Sequence, residues 1–422
     1  MPDKSYTERL TCRSCCSPQL QLILSLGNLY VSGFADSPAD AARHMRVPLD
    51  LVLCSGCHLL QLRHTVHPEL LYRQYWYRSM VNSTMRAALG DITQSAETRA
   101  ELQKGDVVLD IGCNDGTLLR SYRTPGLQLM GFEPAKNLLD DARQGVSCII
   151  NDFFGAAPFL ENSTQKAKVI TSIAMFYDLE EPGQFVREVA QCLHPEGVWV
   201  IQMSYLPSML EANAFDNICH EHLEYYSLGS LRNLLDRFGL RIFDVELNDV
   251  NGGSFRIWIK HARCPKYENS GSERVRDLTR YERECGLEEI ETYQNFASRV
   301  TELKDRTCCF IRQEAGKGKR IYAYGASTKG NTLLQYYGLD HTLIGAAAER
   351  SPTKWGKQTV GTWIPIISEE QMRKDRPDYL LILPWHFLKE FMQREQPYLA
   401  SGGSFLVPLP RLQILSEAKK TG

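Results

Sequence analysis

Residues 107–119 have the sequence VVLDIGCNDGTLL, and this stretch decides the fold. Its apolar, β-rich beginning predicts a buried strand that ends near Asp110. Gly112 and Gly116 then bracket a small polar turn, and Thr117 is placed to cap a helix. A strand, a glycine turn and a helix in this order bring backbone close to a ligand at the edge of an open α/β sheet.

The helix after the turn is predicted to begin at Leu118. The spacing of the two glycines before it indicates which class of ligand the turn can bind. Dinucleotide-binding turns have the pattern G-x-G-x-x-G, which seats a pyrophosphate on the helix N-terminus. The pattern G-x-x-x-G found in this chain disfavours NAD. An acid at the strand end followed by G-x-x-x-G is similar to the first motif of class I methyltransferases, whose ligand S-adenosylmethionine is a zwitterion without phosphate. An ordinary βα turn of a doubly wound sheet is the alternative that this motif leaves open.

The composition is that of a globular protein. The chain has 422 residues, 43% hydrophobic and 23% charged, so two or three domains are expected and disorder is disfavoured. With 48 basic and 50 acidic residues and no long basic run, nucleic acid is disfavoured as a partner. No apolar signal region or membrane-span length of apolar sequence is present, so a cytoplasmic location without membrane contact is expected. The 13 cysteines are then mostly reduced thiols.

Two Cys-x-x-Cys pairs near the N-terminus predict a structural zinc site. Four thiolates can complete the tetrahedral shell of Zn²⁺, and the predicted ligands are Cys12, Cys15, Cys54 and Cys57. The long interval between the pairs contains the segments GNLYVSGF and RVPLDLVLC, which predict a small sheet. Cys16 is an alternative ligand. Unliganded cysteines and a redox pair are the other interpretations, and the redox pair lacks its usual βαβ context.

An aromatic segment follows the zinc-site sequence and runs into a helical pattern. It contains Tyr72, Tyr75, Trp76 and Tyr77. Large aromatic side chains suit either a packing seam against the next domain or a wall of the active site. Both interpretations stay open.

The alternation of strands and helices after residue 106 predicts a parallel sheet with acids along its carboxyl edge. Strands are predicted over 107–111, 128–132, 147–150, 168–173 and 198–203. Glu133 ends the second strand, where a carboxylate accepts hydrogen bonds from vicinal ribose hydroxyls. Asn151 and Asp152 end the third, within reach of an adenine amino group. The predicted cofactor-binding residues are Asp110, Gly112, Asn114, Gly116, Glu133, Asn151 and Asp152. A helix over 228–238 and a strand pair joined through residues 251–253 follow.

A long loop over residues 204–227, called the HEH loop below, leaves the last parallel strand at the edge where ligands bind in such sheets. It contains His220, Glu221 and His222. Two histidines that face opposite ways on extended backbone are poor joint ligands for a metal. General acid/base catalysis is favoured, because imidazole titrates near neutrality and a neighbouring carboxylate can orient it. Histidines of the surface or the core are the alternative.

The C-terminal part predicts a second nucleotide-binding-like sheet, reached through one or two connecting helices between residues 263 and 318. Residues 321–334 repeat the order of strand, glycine turn and helix, and the segments LILPWHF and SFLVPLP predict further strands. The turn offers backbone N–H groups with Ser327, Thr328 and Lys329 to an anion at a helix N-terminus. It lacks the P-loop spacing, so ATP hydrolysis is not implied.

In this order, the motifs resemble the sugar C-methyltransferases of deoxysugar biosynthesis, which act on nucleotide-linked 4-keto-6-deoxy sugars. The resemblance covers essentially the whole chain and rests on the four zinc-site cysteines, YRQYWYRS, DIGCNDG, the HEH loop, YGASTKGNTLL and LILPWHF. It implies an α/β protein in three parts. A zinc-binding module covers 1–72, a Rossmann-like class I methyltransferase domain with connecting helices covers 73–300, and a second Rossmann-like domain that helps to hold the sugar nucleotide covers 301–422.

The resemblance also implies cofactors and site residues. The cofactors are S-adenosylmethionine and structural Zn²⁺. His222 is the base that removes the C3 proton of the sugar, with Glu221 and His220 beside it and Tyr75 or Tyr77 near the reacting carbon. The remaining substrate contacts are Ser327, Lys329, Asn331 and Tyr225.

Two positions depart from the family pattern. Cys219 stands where members carry a tyrosine before HEH, and Met175 stands near the place where some carry a histidine. They leave the base intact and leave open the identity of the sugar, as well as its nucleotide, dTDP, GDP or CDP. Alternatives to C-methylation are an O- or N-methyltransferase of another small metabolite and a non-catalytic zinc-containing scaffold. The C-terminal sheet argues against the first and the acid series against the second.

Overall fold

The computed structural model describes residues 5–37, 39–40, 44–81, 83–267 and 271–416. The N-terminal part consists mainly of strands, which two helices follow. These elements are β1 (Tyr6–Glu8), β2 (Leu20–Tyr30), β3 (Phe34–Ala35), β4 (Arg46–Cys54), β5 (Leu60–Leu62), β6 (His64–Val66), α1 (Pro68–Tyr72) and α2 (Ser83–Ala100). β2 and β4 pair antiparallel, which confirms the small sheet predicted between the two cysteine pairs.

The middle part is a doubly wound sheet. Its elements are β7 (Val107–Ile111), β8 (Gln128–Phe132), α3 (Leu139–Ala142), β9 (Cys148–Ile150), α4 (Ala156–Asn162), β10 (Ala167–Ile173), α5 (Pro182–Cys192), β11 (Leu193–Ser204), α6 (Leu206–Glu211), β12 (Glu224–Tyr225), α7 (Leu228–Asp236), β13 (Leu240–Asn248) and β14 (Ser254–His261). Seven strands form one sheet in the order β13-β14-β11-β10-β7-β8-β9. β7 to β11 are parallel and β13 and β14 are antiparallel, as predicted.

Both faces of this sheet are covered, because successive strand residues point to opposite sides. Val108 packs with α2 on one face, where Ile92 is fully buried. Leu109 packs on the other face with α5 and α7, where Val189 and Leu231 are fully buried. The strands are therefore held rigidly, and their carboxyl ends form a fixed edge.

The C-terminal part begins with two connecting helices and continues as a second α/β sheet. Its elements are α8 (Ser272–Glu284), α9 (Ile290–Gly316), β15 (Ile321–Tyr324), α10 (Thr328–Tyr337), β16 (Ala347–Glu349), β17 (Gln358–Thr359), β18 (Ile366–Ser368), α11 (Glu369–Asp375), β19 (Tyr379–Ile382), α12 (Leu388–Arg394), α13 (Gln396–Ala400), β20 (Ser404–Val407) and β21 (Gln413–Ser416). The sheet order is β18-β16-β15-β19-β20-β21, with only β21 antiparallel among these six strands. The connecting helices and the second sheet are thus confirmed.

Short strand pairings join the N-terminal part to both others. β12, which belongs to the HEH loop, pairs antiparallel with β5 and completes the sheet β12-β5-β4-β2. β3 pairs antiparallel with β17 of the C-terminal part. The HEH loop is therefore bound to the sheet that carries the second cysteine pair.

Four local predictions are wrong. The helix expected at Leu118 is a 3₁₀ turn over Leu119–Ser121, because Thr117 donates its hydroxyl to Asp115 and caps nothing. Residues 204–227 are not a plain loop, since α6, a 3₁₀ turn and β12 occupy most of them. In LILPWHF the strand stops before Pro384, which lacks the N–H of a ladder, and a 3₁₀ turn follows. The turn expected before strand five is an irregular start of β11.

Candidate active site and zinc centre

The two Cys-x-x-Cys pairs converge. Their sulfur atoms lie within 4.8 Å of one another, with Cys12 3.5 Å from Cys57 and Cys15 3.5 Å from Cys54. Thiolates that bind zinc tetrahedrally are about 3.8 Å apart, so the four sulfurs fit a zinc ion. Gln61 donates from Nε2 to Sγ of Cys12 at 3.1 Å, as an outer-shell partner of a ligand does. Cys16, the alternative ligand, is exposed and does not belong to this group of four cysteines.

The glycine turn after β7 has the backbone conformation that its sequence requires. Gly112, Asn114 and Gly116 have φ values of 73°, 52° and 76°, in the left-handed region. A Cβ on Gly116 would lie 2.8 Å from the carbonyl oxygen of Ala142. The turn therefore passes against neighbouring backbone in a way that only glycine permits at that point.

Glu133 closes this turn from the end of β8. Its Oε2 accepts the N–H of Asn114 at 2.8 Å, and its Oε1 accepts the N–H of Ala135 at 2.8 Å. Each oxygen keeps a further lone pair, which is the acceptor set that two vicinal hydroxyls need. The side chain is only 5% exposed, so such hydrogen bonds would form away from bulk water.

The other predicted cofactor residues differ in their surroundings. Asp110 is buried inside β7, where Thr171 donates to it at 2.5 Å and burial raises its pKa to about 7. Asn151 donates to the carbonyl oxygen of Glu133 at 2.8 Å and so fixes the strand end. Asp152 is exposed and pairs with Arg73 at 3.2 Å. An adenine contact by Asp152 stays a prediction.

The aromatic segment lies across the glycine turn and reaches the HEH loop. Asn114 donates from Nδ2 to the carbonyl oxygen of Tyr77 at 3.1 Å, and the carbonyl oxygen of Glu221 accepts the hydroxyl of Tyr72 at 3.1 Å. The backbone of Tyr75 exchanges two hydrogen bonds with the side chain of Asn137. The segment is thus a packing seam. Contact of Tyr75 or Tyr77 with a substrate stays a prediction.

His222 occupies a fixed orientation in the HEH loop. Its Nδ1 lies 2.8 Å from the carbonyl oxygen of Asn217, and its ring packs edge-on against Tyr177 with centroids 4.5 Å apart. A carbonyl can only accept, so Nδ1 carries the hydrogen and Nε2 bears a lone pair. Burial, with the charge of Lys329 as a second cause, lowers the pKa of His222 to about 3. The imidazole is therefore neutral at physiological pH.

The cavity beside His222 is small and mixed in character. It is lined by Tyr177, Ser204, Tyr205, Leu206, Met209, Asn217, His222, Glu224 and Tyr225. Burial raises the pKa of Glu224 far above its ordinary range, and neither of its oxygens has a hydrogen-bond partner among the described residues. The cavity thus adjoins His222 and reaches β12 of the N-terminal sheet.

The other residues of the HEH motif and Tyr225 support the loop. His220 lies apart from that cavity, 4% exposed, with Nε2 2.9 Å from the carbonyl oxygen of Val47, and burial lowers its pKa to about 4. Burial raises the pKa of Glu221 to about 7. The hydroxyl of Tyr225 donates within the loop to the carbonyl oxygen of His222 at 3.0 Å. A direct catalytic or substrate role for these three stays a prediction.

The second sheet faces the HEH loop. Trp385 donates from Nε1 to Asp216 at 3.1 Å. Burial, with the charge of Lys329 as the second cause, lowers the pKa of both His222 and His386. Burial raises the pKa of Asp216 against the opposing effect of Lys329. The positive charge of Lys329, in the C-terminal part, therefore acts on the HEH loop.

The C-terminal turn holds the remaining predicted substrate residues. Ser327 caps α10 by accepting the N–H of Gly330 at 3.1 Å. Asn331, in the first turn of α10, is 1% exposed, and its side-chain oxygen and nitrogen have no partner among the described residues. Asn331 thus keeps its full hydrogen-bonding capacity, and its contact with a substrate stays a prediction.

Sequence reasoning missed two residues that contact His222, namely Tyr177 and Asn217, and also Asp216, which accepts the hydrogen bond of Trp385. Tyr177 follows β10 at the carboxyl edge, which was a positional signal for a site residue. Asn217 acts through its backbone carbonyl, and no side-chain pattern predicts such a role. The position of Asp216 depends on how the HEH loop folds, and the sequence pattern did not predict that.

Comparison with known proteins agrees with this geometry. Three family profiles match in succession: a zinc binding domain over residues 12–72, a methyltransferase domain over 81–245 and a C-methyltransferase C-terminal domain over 249–410. The C-methyltransferase NovU of Streptomyces niveus is 32% identical over 408 residues, which are 96% of each chain. A ubiquinone biosynthesis O-methyltransferase of Bordetella bronchiseptica is 32% identical over 108 residues, 25% of this chain and 44% of its own.

Among solved structures, mitomycin 7-O-methyltransferase MmcR is similar with 19% identity and a TM-score of 0.35, covering 43% of this chain and 55% of its own.

The doubly wound sheet with its glycine turn, next to a four-cysteine zinc centre, defines an S-adenosylmethionine-dependent methyltransferase with a structural zinc site. The chain belongs to the family of zinc-containing C-methyltransferases, as the whole-length match to NovU shows. The family assignment made from the sequence is confirmed.

Proposed function

We propose that this C-methyltransferase methylates C3 of a nucleotide-linked 4-keto-6-deoxy sugar, with His222 as the base. One observation carries the proposal. His222 is a neutral imidazole whose Nδ1 is tied to Asn217 and whose Nε2 is left to accept a proton, on the ligand-binding edge of the sheet. A carbon next to a ketone is acidic enough for such a base, whereas O- or N-methylation needs no carbon acid.

The methyl donor would be held at the glycine turn. Gly112, Asn114 and Gly116 shape the turn, and Glu133 offers its two remaining acceptor positions to the ribose hydroxyls. Asp110 and Asn151 brace the strand ends, and Asp152 stands at the adenine side. S-adenosylmethionine, when bound, supplies the methyl group that the C3 carbanion takes up.

Lys329 would link substrate binding to the strength of the base. Its positive charge lowers the pKa of His222 in the absence of substrate. The pyrophosphate of a sugar nucleotide beside Lys329 offsets that charge, which raises the pKa of His222 when a proton has to be removed. Ser327 and Asn331 stand close by in sequence on α10 for further polar contacts.

We also propose a zinc-binding module over 1–72, a methyltransferase domain over 73–300 and a sugar-nucleotide domain over 301–422. The matched profiles end and begin near the first of these boundaries, whereas the C-terminal profile begins earlier than the second, at residue 249. None of the thirteen cysteines is part of a disulfide, which is typical of a reducing compartment, and we place the protein in the cytoplasm. In the described part of the chain, no helix combines the length and apolarity that crossing a bilayer requires.

The test is a panel of 4-keto-6-deoxy sugars linked to dTDP, GDP or CDP, incubated with enzyme and methyl-labelled donor. The proposal expects label on C3 of at least one sugar, located by the carbon–carbon coupling in its NMR spectrum. Label on an oxygen or nitrogen, or on another carbon, would contradict it. The His222→Asn variant serves as the matched control, because it keeps the fold and lacks the base.

A further inference from the structure

The 3₁₀ turn over Phe176–Asp178, which follows β10, contacts the HEH loop in two ways. The carbonyl oxygen of Tyr177 accepts the N–H of Leu223 at 2.8 Å, and the ring of Tyr177 packs edge-on against the ring of His222 with centroids 4.5 Å apart. Leu223 directly follows His222 in the chain. The position of this turn therefore limits how the imidazole of His222 can rotate.

Glu180, two residues after the turn, connects it to the N-terminal part. Its Oε1 accepts from Nη1 of Arg9 at 2.9 Å. Its Oε2 accepts from Nε of Arg13 at 3.3 Å and from the hydroxyl of Thr65. All three donors belong to the N-terminal part, whereas Glu180 lies between β10 and α5 of the doubly wound sheet. The carboxylate therefore bridges the two parts of the molecule.

Arg13 is a firm anchor for this carboxylate. Its side chain is fully buried and donates to Oε1 of Gln61 at 3.3 Å, to the hydroxyl oxygen of Thr65 at 2.6 Å and to the carbonyl oxygen of Leu62. Among the described residues, Glu180 is the only carboxylate within salt-bridge distance of Arg13. A buried guanidinium that loses its one carboxylate keeps an uncompensated charge, so the pair resists separation.

These contacts form a closed ring that includes the HEH loop. Arg13 donates to the carbonyl oxygen of Leu62, and the N–H of Leu62 donates to the carbonyl oxygen of Leu223 at 2.8 Å. The N–H of Leu223 donates to Tyr177, and Glu180, three residues after Tyr177, pairs with Arg13. Both backbone groups of Leu223 are therefore bound, next to the proposed base.

We propose that Glu180 is a positioning residue of this C-methyltransferase, which holds Tyr177 against His222 and so fixes the imidazole in the orientation that removes the proton. This rests on the proposed function for the role of His222. The carbonyl oxygen of Asn217 already holds Nδ1, and the contact with Tyr177 is the second constraint on the ring. A displacement of about 1 Å at a reacting group can cost about 10²-fold in rate.

The kinetic test compares Glu180→Gln with Glu181→Gln in the full-length, zinc-loaded enzyme. Glu181 is the matched control, because it pairs with the same Arg9 at 2.7 Å and makes no hydrogen bond or ion pair with Arg13 among the described residues. In Glu180→Gln, we expect kcat and the exchange of the substrate C3 hydrogen to fall about ten- to 10²-fold, while KM and the affinity for S-adenosylhomocysteine change by less than about twofold. Glu181→Gln should behave as the unchanged enzyme.

A second readout does not depend on turnover. The ring current of Tyr177 displaces the NMR signals of the His222 ring, which can be observed in protein with ¹³C-labelled histidines and assigned by their loss in His222→Asn. We expect these signals to move in Glu180→Gln and to stay in place in Glu181→Gln. Glu180→Asp, which keeps the charge on a shorter side chain, should move them and lower kcat by a smaller factor. If Glu180→Gln fails to retain zinc, Glu180→Asp decides the test.

Four results would overturn the proposal: unchanged kcat in Glu180→Gln, an equal loss in Glu181→Gln, a rise in KM alone, or a slower enzyme whose His222 signals have not moved. If the labelled-methyl panel gives no product on C3, moved His222 signals would count against the C3 chemistry and support the positioning by Glu180. Product on C3 with unmoved signals would count against Glu180 alone.

Discussion

Gln61 donates a hydrogen bond to Sγ of Cys12 at 3.1 Å, and the backbone of Gln61 pairs with Glu224 in the ladder between β5 and β12. Glu224 lies two residues after His222 in the HEH loop. A second contact fixes the same loop, since His220 lies 2.9 Å from the carbonyl oxygen of Val47 in β4. The zinc centre therefore stabilises the sheet that holds the HEH loop, to which we assign the catalytic base.

Removal of zinc should therefore impair catalysis without touching the methyl-donor site directly. Without the metal the four thiolates lose their common partner, and β5 loses its anchor at Cys12 and Gln61. We expect residues 219–226 to exchange amide hydrogens faster after chelation, while S-adenosylmethionine still binds. Zinc content, hydrogen exchange and donor titration on the same sample check this. Unchanged exchange of these residues in zinc-free protein would separate the zinc from the loop.

Glu133 should be required for donor binding. Replacing it with alanine removes both ribose acceptors and leaves the N–H groups of Asn114 and Ala135 without a partner. We expect Glu133→Ala to weaken S-adenosylmethionine at least about tenfold. Glu161→Ala, at an exposed position of α4, is the control and should bind normally. Titration calorimetry measures both, and unchanged affinity in Glu133→Ala would refute the assignment.

Lys329→Met should raise KM for the proposed sugar nucleotide at least about tenfold at low salt, because it removes the half-buried cation to which we assign the pyrophosphate. The defect should shrink as salt is added, since salt weakens the same attraction in the unchanged enzyme. Lys319→Met removes an exposed lysine that pairs with Asp378 at 2.9 Å and should leave KM unchanged. A normal KM in Lys329→Met would argue that the nucleotide binds elsewhere.

His220 should make stability depend on pH. Burial lowers its pKa from 6.5 to about 4, so the unfolded chain binds this proton more readily than the folded protein. Stability is then lost as pH falls from about 6.5 towards 4, by about 1.4 kcal/mol per pH unit for one proton. His220→Asn should flatten the loss of thermal stability in this range, whereas the exposed His341→Asn should not. Parallel pH curves for His220→Asn and the unchanged protein would contradict the buried, neutral histidine.

The sequence was sufficient for elements whose signals are local. The five parallel strands, the hairpin through residues 251–253 and the connecting helices follow from apolar periodicity and turn residues. The zinc ligands follow from cysteine spacing, and Glu133 follows from its place at a strand end.

Contacts between distant parts of the chain were not predictable in this way. The pairing of Glu224 with Gln61 joins two segments whose sequences do not indicate that they pair. β12 itself lies in a segment that was predicted to be a loop. The orientation of His222 depends on the carbonyl of Asn217, which any residue type would supply. Thr117 looked like a helix cap, but Asp115 lies close enough to take its hydroxyl.

His222 as the base is the central claim, and exchange of the substrate C3 hydrogen tests it most directly. The enzyme is incubated in heavy water with a 4-keto-6-deoxy sugar nucleotide that it methylates and with S-adenosylhomocysteine in place of the donor. We expect deuterium to enter C3 with the unchanged enzyme, and exchange to fall about 10²- to 10⁴-fold in His222→Asn while S-adenosylhomocysteine binding is retained. Exchange at the unchanged rate in His222→Asn would contradict the account, because another group would then remove the proton.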